Sequence, residues 1–272
     1  MAEGDPRAPW RLIEDPAADG FRNMARDEAL LESCDAGAPG FPVLRLYAFA
    51  PPSLSIGFSQ ELGTTADLAA CAVAGLDVVR RPTGGRAVLH DDEITFAVIA
   101  RRGEPPFDGA LLEAYRVVAR GLLAGFEGLG VSASMADRFR DSGSPAAGAL
   151  CFARPSRHEI VASGAKVVGS SSARRRGAFL QHGSIPRRFD RALLARATGG
   201  EREGEAVPDV PGLARLAGRD VAIPEIARAL VRGFERALGV RCLPGILSAG
   251  EAERAEWLRA HRYLTSAWTG RR

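Results

Sequence analysis

The sequence predicts an α+β fold, a mixed sheet with flanking helices, on three observations. Strand-like runs fall both before and after one long helical stretch at 108–129. They do not alternate with helices in the regular order of a doubly wound sheet. Two further helical stretches, 224–238 and 248–262, close the chain. With 272 residues the chain can bury one large core. The organisation expected is a flexible N-terminus over 1–9 and a single domain over 10–272 with a helical C-terminal segment.

The elements follow in order. An apolar stub at 10–13 leads into 23–33, where Met24, Ala25, Glu28, Leu30 and Leu31 fall at amphipathic helical spacing. Residues 43–50 and 53–58 read as two strands joined by a turn at Pro51-Pro52. A short helix at 67–74 ends near Gly75. Strands at 77–81, 87–90 and 94–100 surround Pro82-Thr83-Gly84-Gly85. After the long helix and a polar, glycine-rich loop at 140–148, residues 150–152, 159–162, 166–170 and 178–182 read as short strands of one sheet. Residues 199–211 read as a charged surface loop.

Composition excludes several classes. No stretch approaches the ~18 uninterrupted apolar residues of a membrane-spanning helix. The first nine residues are acidic and small, without a basic then apolar secretory pattern, so a cytoplasmic protein is expected. A formal charge of +3 is too small to indicate a nucleic-acid partner. The four cysteines, Cys34, Cys71, Cys151 and Cys242, are scattered without a close pair, which speaks against a metal site or a disulfide framework. Of 36 basic residues one is a lysine, Lys166, and the rest are arginine. A lysine can be tuned by burial and move protons, whereas arginine stays charged. The count alone leaves a chance surface lysine equally open.

Three segments carry candidate chemistry. In RRPTGGRAVLHDDEITF two glycines permit a tight turn close to a ligand, with Arg81, Thr83, Gly84, Gly85, Arg86 and His90 around it. An ordinary hairpin loop has the same look. Cys151 follows small residues and precedes an apolar strand, whereas Cys34, Cys71 and Cys242 sit in apolar patterns that suit inert buried thiols. A free cysteine with a pKa near ~8.5 is mostly protonated at neutral pH, and an ammonium nearby would favour the thiolate. Lys166, fifteen positions on, is placed to supply it if the two lie on neighbouring strands. In GAKVVGSSSARRRGAFLQHGSIP small residues, Gly169 among them, leave room for a substrate, and His182 is a second acid–base candidate or a satisfied structural histidine.

Together FRNMARDEALL, RRPTGGRAVLHDDEITFAV, CFARPSRHEIVASGAKVVGSSSARRRGAFLQHGSIP and YLTSAWT resemble the lipoate-protein ligase and octanoyltransferase family, most closely its LipM-type branch. The resemblance implies a catalytic domain like that of the biotin-protein ligases and class II aminoacyl-tRNA synthetases. It implies transfer of octanoyl from acyl carrier protein, through a Cys151 thioester, to a lysine of a lipoyl domain such as glycine cleavage H protein or a 2-oxoacid dehydrogenase E2. Lys166 takes the family's essential lysine position, and Arg81, Thr83, Gly84, Gly85 and His90 fall in its acyl-binding loop. No cofactor, metal, nucleic acid or membrane enters, and a monomer is expected. The chain differs from the family's usual residues at His158, Ala165, Ser171, Ser172 and Ala267.

Two enzymatic alternatives share the scaffold. An ATP-dependent lipoate-protein ligase would use the lysine without a cysteine at 151, and an octanoyl amidotransferase between lipoyl-domain proteins would use Cys151 with another donor. A non-catalytic binding module would need neither Cys151 nor Lys166. Arg80, Arg81, Arg86, Arg174 to Arg176, Arg187 and Arg188 are expected to steer an acidic protein donor.

Overall fold

A six-stranded mixed sheet organises the chain, in the order β10-β11-β6-β2-β1-β12. The first half runs β1 (Ala8–Glu14), α1 (Gly20–Asp35), β2 (Val43–Tyr47), β3 (Ser53–Ile56), α2 (Leu62–Thr65), α3 (Leu68–Val73), β4 (Asp77–Arg80), β5 (Val88–His90), β6 (Glu93–Arg101) and α4 (Leu111–Glu127). The second runs β7 (Ser134–Met135), β8 (Ile160–Ala162), β9 (Ala165–Lys166), β10 (Gly169–Arg174), β11 (Ala178–Pro186), α5 (Arg191–Ala197), α6 (Leu213–Leu216), α7 (Ile223–Leu238), β12 (Val240–Pro244), α8 (Ala249–Leu258) and α9 (Ser266–Thr269). A π-helical turn, Arg259–Tyr263, follows α8. This computed structural model describes residues 8–136, 159–200 and 207–271.

Local signals set the helix ends. Asp19 caps α1 by accepting from the Arg22 N–H, and Ser248 with Glu251 forms a capping box on α8. Proline in the first turn opens α7, and Gly239 ends it in the left-handed conformation at φ 64°.

Side-chain alternation along the strands gives the sheet two unlike faces. Leu44, Leu46, Phe96, Val98, Phe179 and Ile185 point to one side, into an apolar cluster with α4 and α7. There the helices cross closely enough that a Cβ on Gly233 would lie 2.3 Å from the Gly125 nitrogen. Val43, Tyr47, Ala97, Ile99, Ala178 and Leu180 point to the other side, under α1 and α8. The polar residues Arg45, Glu93, Thr95, His182 and Ser184 share this second parity and are all buried.

Two three-stranded sheets flank the large one, β4-β3-β5 and β7-β8-β9. The four short strands expected to share one sheet therefore do not. The β8–β9 hairpin turns through Ser163 and Gly164, both at positive φ, so these strands pair with each other, while β10 and β11 belong to the central sheet. Residues 150–152 lie outside the described residues. The segments at 43–50 and 53–58 likewise part into different sheets, because Pro51 and Pro52 offer no N–H to continue a ladder.

Candidate active site

A pocket opens between α1, the glycine loop after β4, and β10 and β11. Its walls include Met24, Tyr47, Arg81, His90, Gly169, Ser171 and His182. Asn23 and Asp27 lie four residues apart on α1, on the face buried against the sheet. Both are fully buried, and β2 brings Arg45 beneath them. Arg45 bonds Asp27 at 2.6 Å, Asp15 at 2.6 Å and the Asn23 side chain at 2.9 Å. Its guanidinium also lies 3.8 Å from the centre of the Tyr47 ring.

From Asp27 a chain of hydrogen bonds runs to the cavity. The Tyr47 hydroxyl donates to Asp27 Oδ2 at 2.8 Å, and His182 Nδ1 lies 2.8 Å from the same oxygen. His182 Nε2 lies 2.7 Å from Thr83 Oγ1, which lies 2.7 Å from Ser171 Oγ. Strand register makes the last step: Ser171 and His182 sit directly opposite on β10 and β11 and share a face. Burial alone pushes the Asp27 carboxyl up, yet Arg45, His182 and Tyr47 together hold it below the ordinary value. Burial pushes the His182 imidazole down, against the pull of Asp27, so the ring is neutral at pH 7.

A second cluster stands beside the first. His90 bonds Ser55 Oγ through Nε2 at 2.8 Å and Glu93 through Nδ1 at 2.7 Å, and its ring stacks on Phe49 at 4.0 Å. Thr95 and Ser184 also donate to Glu93. Arg81 holds the glycine loop in shape: it donates to the carbonyls of Gly84 and Arg86 at 2.7 Å each, and to Ser55 O and Thr83 Oγ1 at 3.1 Å. Gly85 needs its φ of 86°, and a Cβ on Gly57 would meet the Gly85 carbonyl at 1.9 Å.

The structure thus brings Arg81, His90, Gly169 and His182 to the lining of one pocket, with Thr83 bonded to His182 and with Gly84 and Gly85 beside Arg81 in the adjoining loop. Lys166 stands apart from its lining. It is buried on β9 and pairs with Glu159 at 2.6 Å. Cys151 lies outside the described residues. Cys34, Cys71 and Cys242 are free, buried thiols, and burial pushes Cys34 and Cys242 up to about 12. Among the described residues no group of three or more His, Cys, Asp or Glu side chains is arranged to hold a metal ion.

The arginine cluster expected to face a partner divides. Arg81 is internal, and Arg80 is fully buried, where it donates to the carbonyls of Gly57, Gln60, Trp268 and Thr269 and clips α9 onto the β4 edge. Arg187 pairs with Asp92 and Asp220. Arg174, Arg176 and Arg188 remain exposed. Reading the residues one segment at a time missed Asp27, Ser55, Glu93, Thr95, Glu159 and Ser184. One signal was present: Asn23 and Asp27 are polar at i, i+4 on a helix face that also carries Met24, Leu30, Leu31 and Cys34.

The chain belongs to the family of the lipoyl protein ligase A/B catalytic domain, whose model matches residues 19–235. Within it, the chain is 41% identical over 275 residues to octanoyltransferase LipM of Kyrpidia tusciae, covering 97% of this chain and 99% of that protein. It is 38% identical to octanoyltransferase LipM of Moorella thermoacetica, covering 98% and 100%. Among solved structures, lipoate-protein ligase A bound with ATP superposes with a TM-score of 0.79 at 25% identity, covering 96% of this chain and 98% of that one. The α+β fold with its mixed sheet is therefore that of the lipoate-protein ligases.

Proposed function

We propose that this protein is an octanoyltransferase that takes the acyl group from octanoyl-acyl carrier protein onto Cys151 and passes it to a lysine of a lipoyl-domain protein. The observation that carries this reading is the near full-length similarity to two octanoyltransferases at 41% and 38% identity. The pocket supports it: Met24 and Val88 give it apolar surface beside a glycine loop that Arg81 already holds by hydrogen bonds, which suits an acyl chain.

In the first step the Cys151 thiolate attacks the thioester carbonyl, and the carrier's thiol leaves. One thioester replaces another, so the exchange is nearly isoenergetic. In the second, the substrate amine attacks the acyl-enzyme and Cys151 leaves as thiolate. Lys166 stabilises that thiolate as an ammonium, and Glu159 holds the ammonium in place between turnovers. The acceptor class expected is the H protein or E2 type of lipoyl domain. The cytoplasm, where thiols stay reduced, suits the free cysteines. Exposed Arg174, Arg176 and Arg188 favour acidic protein partners, so the second-order rate should fall as ionic strength rises. A flat response would remove them from docking.

Intact-protein mass after mixing with octanoyl-acyl carrier protein, without ATP, tests the reading. A hydroxylamine-labile octanoyl adduct on the wild type and none on Cys151→Ala is expected. No adduct on either would overturn it; transfer only from octanoate plus ATP would make the chain a ligase, and transfer only from an octanoylated lipoyl domain an amidotransferase.

A further inference from the structure

The hydrogen-bond chain that starts at Asp27 has a fixed direction. Asp27 is ionised and accepts from Arg45, from the Tyr47 hydroxyl and from His182 Nδ1, so the imidazole proton sits on Nδ1. Nε2 is then an acceptor, and the 2.7 Å contact with Thr83 is one in which the Thr83 hydroxyl donates. Thr83 has a single proton, so in its 2.7 Å contact with Ser171 the Ser171 hydroxyl donates, beside the Arg81 Nε donor at 3.1 Å. The Ser171 proton therefore points inward, and its lone pairs are left to the cavity that Ser171 lines. The chain ends in an acceptor. That polarity is wrong for a carbonyl or oxyanion and right for the N–H of an attacking amine. The parallel chain through Glu93 and His90 ends on Ser55, which is fully buried and already takes a donor from Arg81 at 3.2 Å.

We propose that Ser171, Thr83 and His182 form a proton relay that accepts the proton of the attacking lysine amine, with Asp27 as the positioning residue that fixes the His182 tautomer. The proposal rests on the reading above that an amine takes the acyl group, and it is indifferent to the acyl donor. In the step, the amine nitrogen bonds to the acyl carbonyl carbon and the bond to the leaving group breaks with its electron pair, C–S with the thiolate leaving from a Cys151 thioester, or C–O with the phosphate leaving from an acyl-adenylate. One amine proton passes to Ser171 Oγ as the Ser171 proton passes to Thr83 Oγ1 and the Thr83 proton to His182 Nε2. Asp27 stabilises the imidazolium, and the proton returns through the same chain to the thiolate or to solvent, restoring the start.

The test separates loading of the enzyme from transfer to a lipoyl-domain acceptor, each followed in a single turnover by intact mass. Ser171→Ala and Thr83→Val should slow transfer by about 10²-fold more than they slow loading. Thr83→Ser keeps the hydroxyl and should recover most of that loss. Asp27→Asn should move the pH midpoint of transfer, since the charged or titratable groups facing His182 are Asp27 on α1, Tyr47 on β2, Arg81 in the loop and His90 on β5. Wild-type transfer should show a solvent isotope effect from more than one proton, reduced in Ser171→Ala. Equal slowing of both half-reactions, or Thr83→Ser no better than Thr83→Val, overturns the relay. A wild type that never loads is instead a failure of the functional reading, and amide formation from octanoate and ATP then carries the same comparison.

Discussion

The two faces of the central sheet differ in what they are built from, although the same strands supply both. On the α4 and α7 side β2, β6 and β11 contribute aliphatic or aromatic residues, and the helices close over them through Gly121, Gly125 and Gly233. On the α1 side the same strands contribute Arg45, Glu93, Thr95, His182 and Ser184, each buried and each with a hydrogen-bond partner. A dry face obtains its stability from packing, with few demands on direction. A face of buried polar groups is tolerated only when every group is satisfied, and that requirement fixes the positions of the side chains that meet the cavity. The apolar packing under α4 and α7 and the buried polar groups beside the pocket thus lie on opposite sides of one sheet, the polar side carrying an apolar cluster of its own.

The largest effect should come from opening the polar face at its centre. Asp27→Ala leaves Arg45 and His182 without their shared carboxylate, and a loss of about 3–5 kcal/mol is expected in denaturant titration. A loss under about 1 kcal/mol would mean that the cluster adds little to folding. Next, Leu122→Ala on the dry face should cost about 2–5 kcal/mol, because its buried side chain leaves a cavity. The transfer rate of the folded fraction should be unchanged, and a large fall in it would break the separation between the faces.

The smallest effect is a pH slope. The His182 imidazole is held below its ordinary value of 6.5, so the unfolded chain takes up this proton first as pH falls. Its contribution is full above pH 6.5 and is lost from there down toward the folded value. The difference in stability between wild type and His182→Gln should therefore shrink as pH falls below 6.5. Asp27, also held below its ordinary value, gives its own loss only below pH 3.8. A constant difference across the His182 window would place the imidazole on an ordinary titration.

The sequence made much of this legible, and unevenly. The helix at 23–33, the glycine loop and the strands around it appear where periodicity and turn residues indicated, since those signals are local. Arg81, Thr83, His90 and His182 were visible as polar residues inside or beside apolar runs. Asp27, Glu93 and Ser171 were not visible as partners, because sheet register and the packing of α1 bring them in, not sequence spacing. Strands buried on both faces also hide their alternation: β6 reads as an almost continuous apolar run, with only Glu93 and Thr95 to mark the chemical side. Arg80 and Arg81 resembled a surface patch for the same reason, since a guanidinium sealed by carbonyls leaves no local trace.

The separation of the proposed relay from the packed α4 and α7 face is tested most directly by comparing Ser171→Ala with Leu122→Ala, each measured for unfolding free energy and for octanoyl transfer by the folded protein. Ser171 is half-buried and its loss removes one hydroxyl from the cavity wall. The expected result is a crossed pair: Ser171→Ala keeps stability within about 1 kcal/mol and loses transfer by about 10²-fold, while Leu122→Ala loses about 2–5 kcal/mol and keeps transfer. Both variants losing stability and transfer in proportion would contradict it.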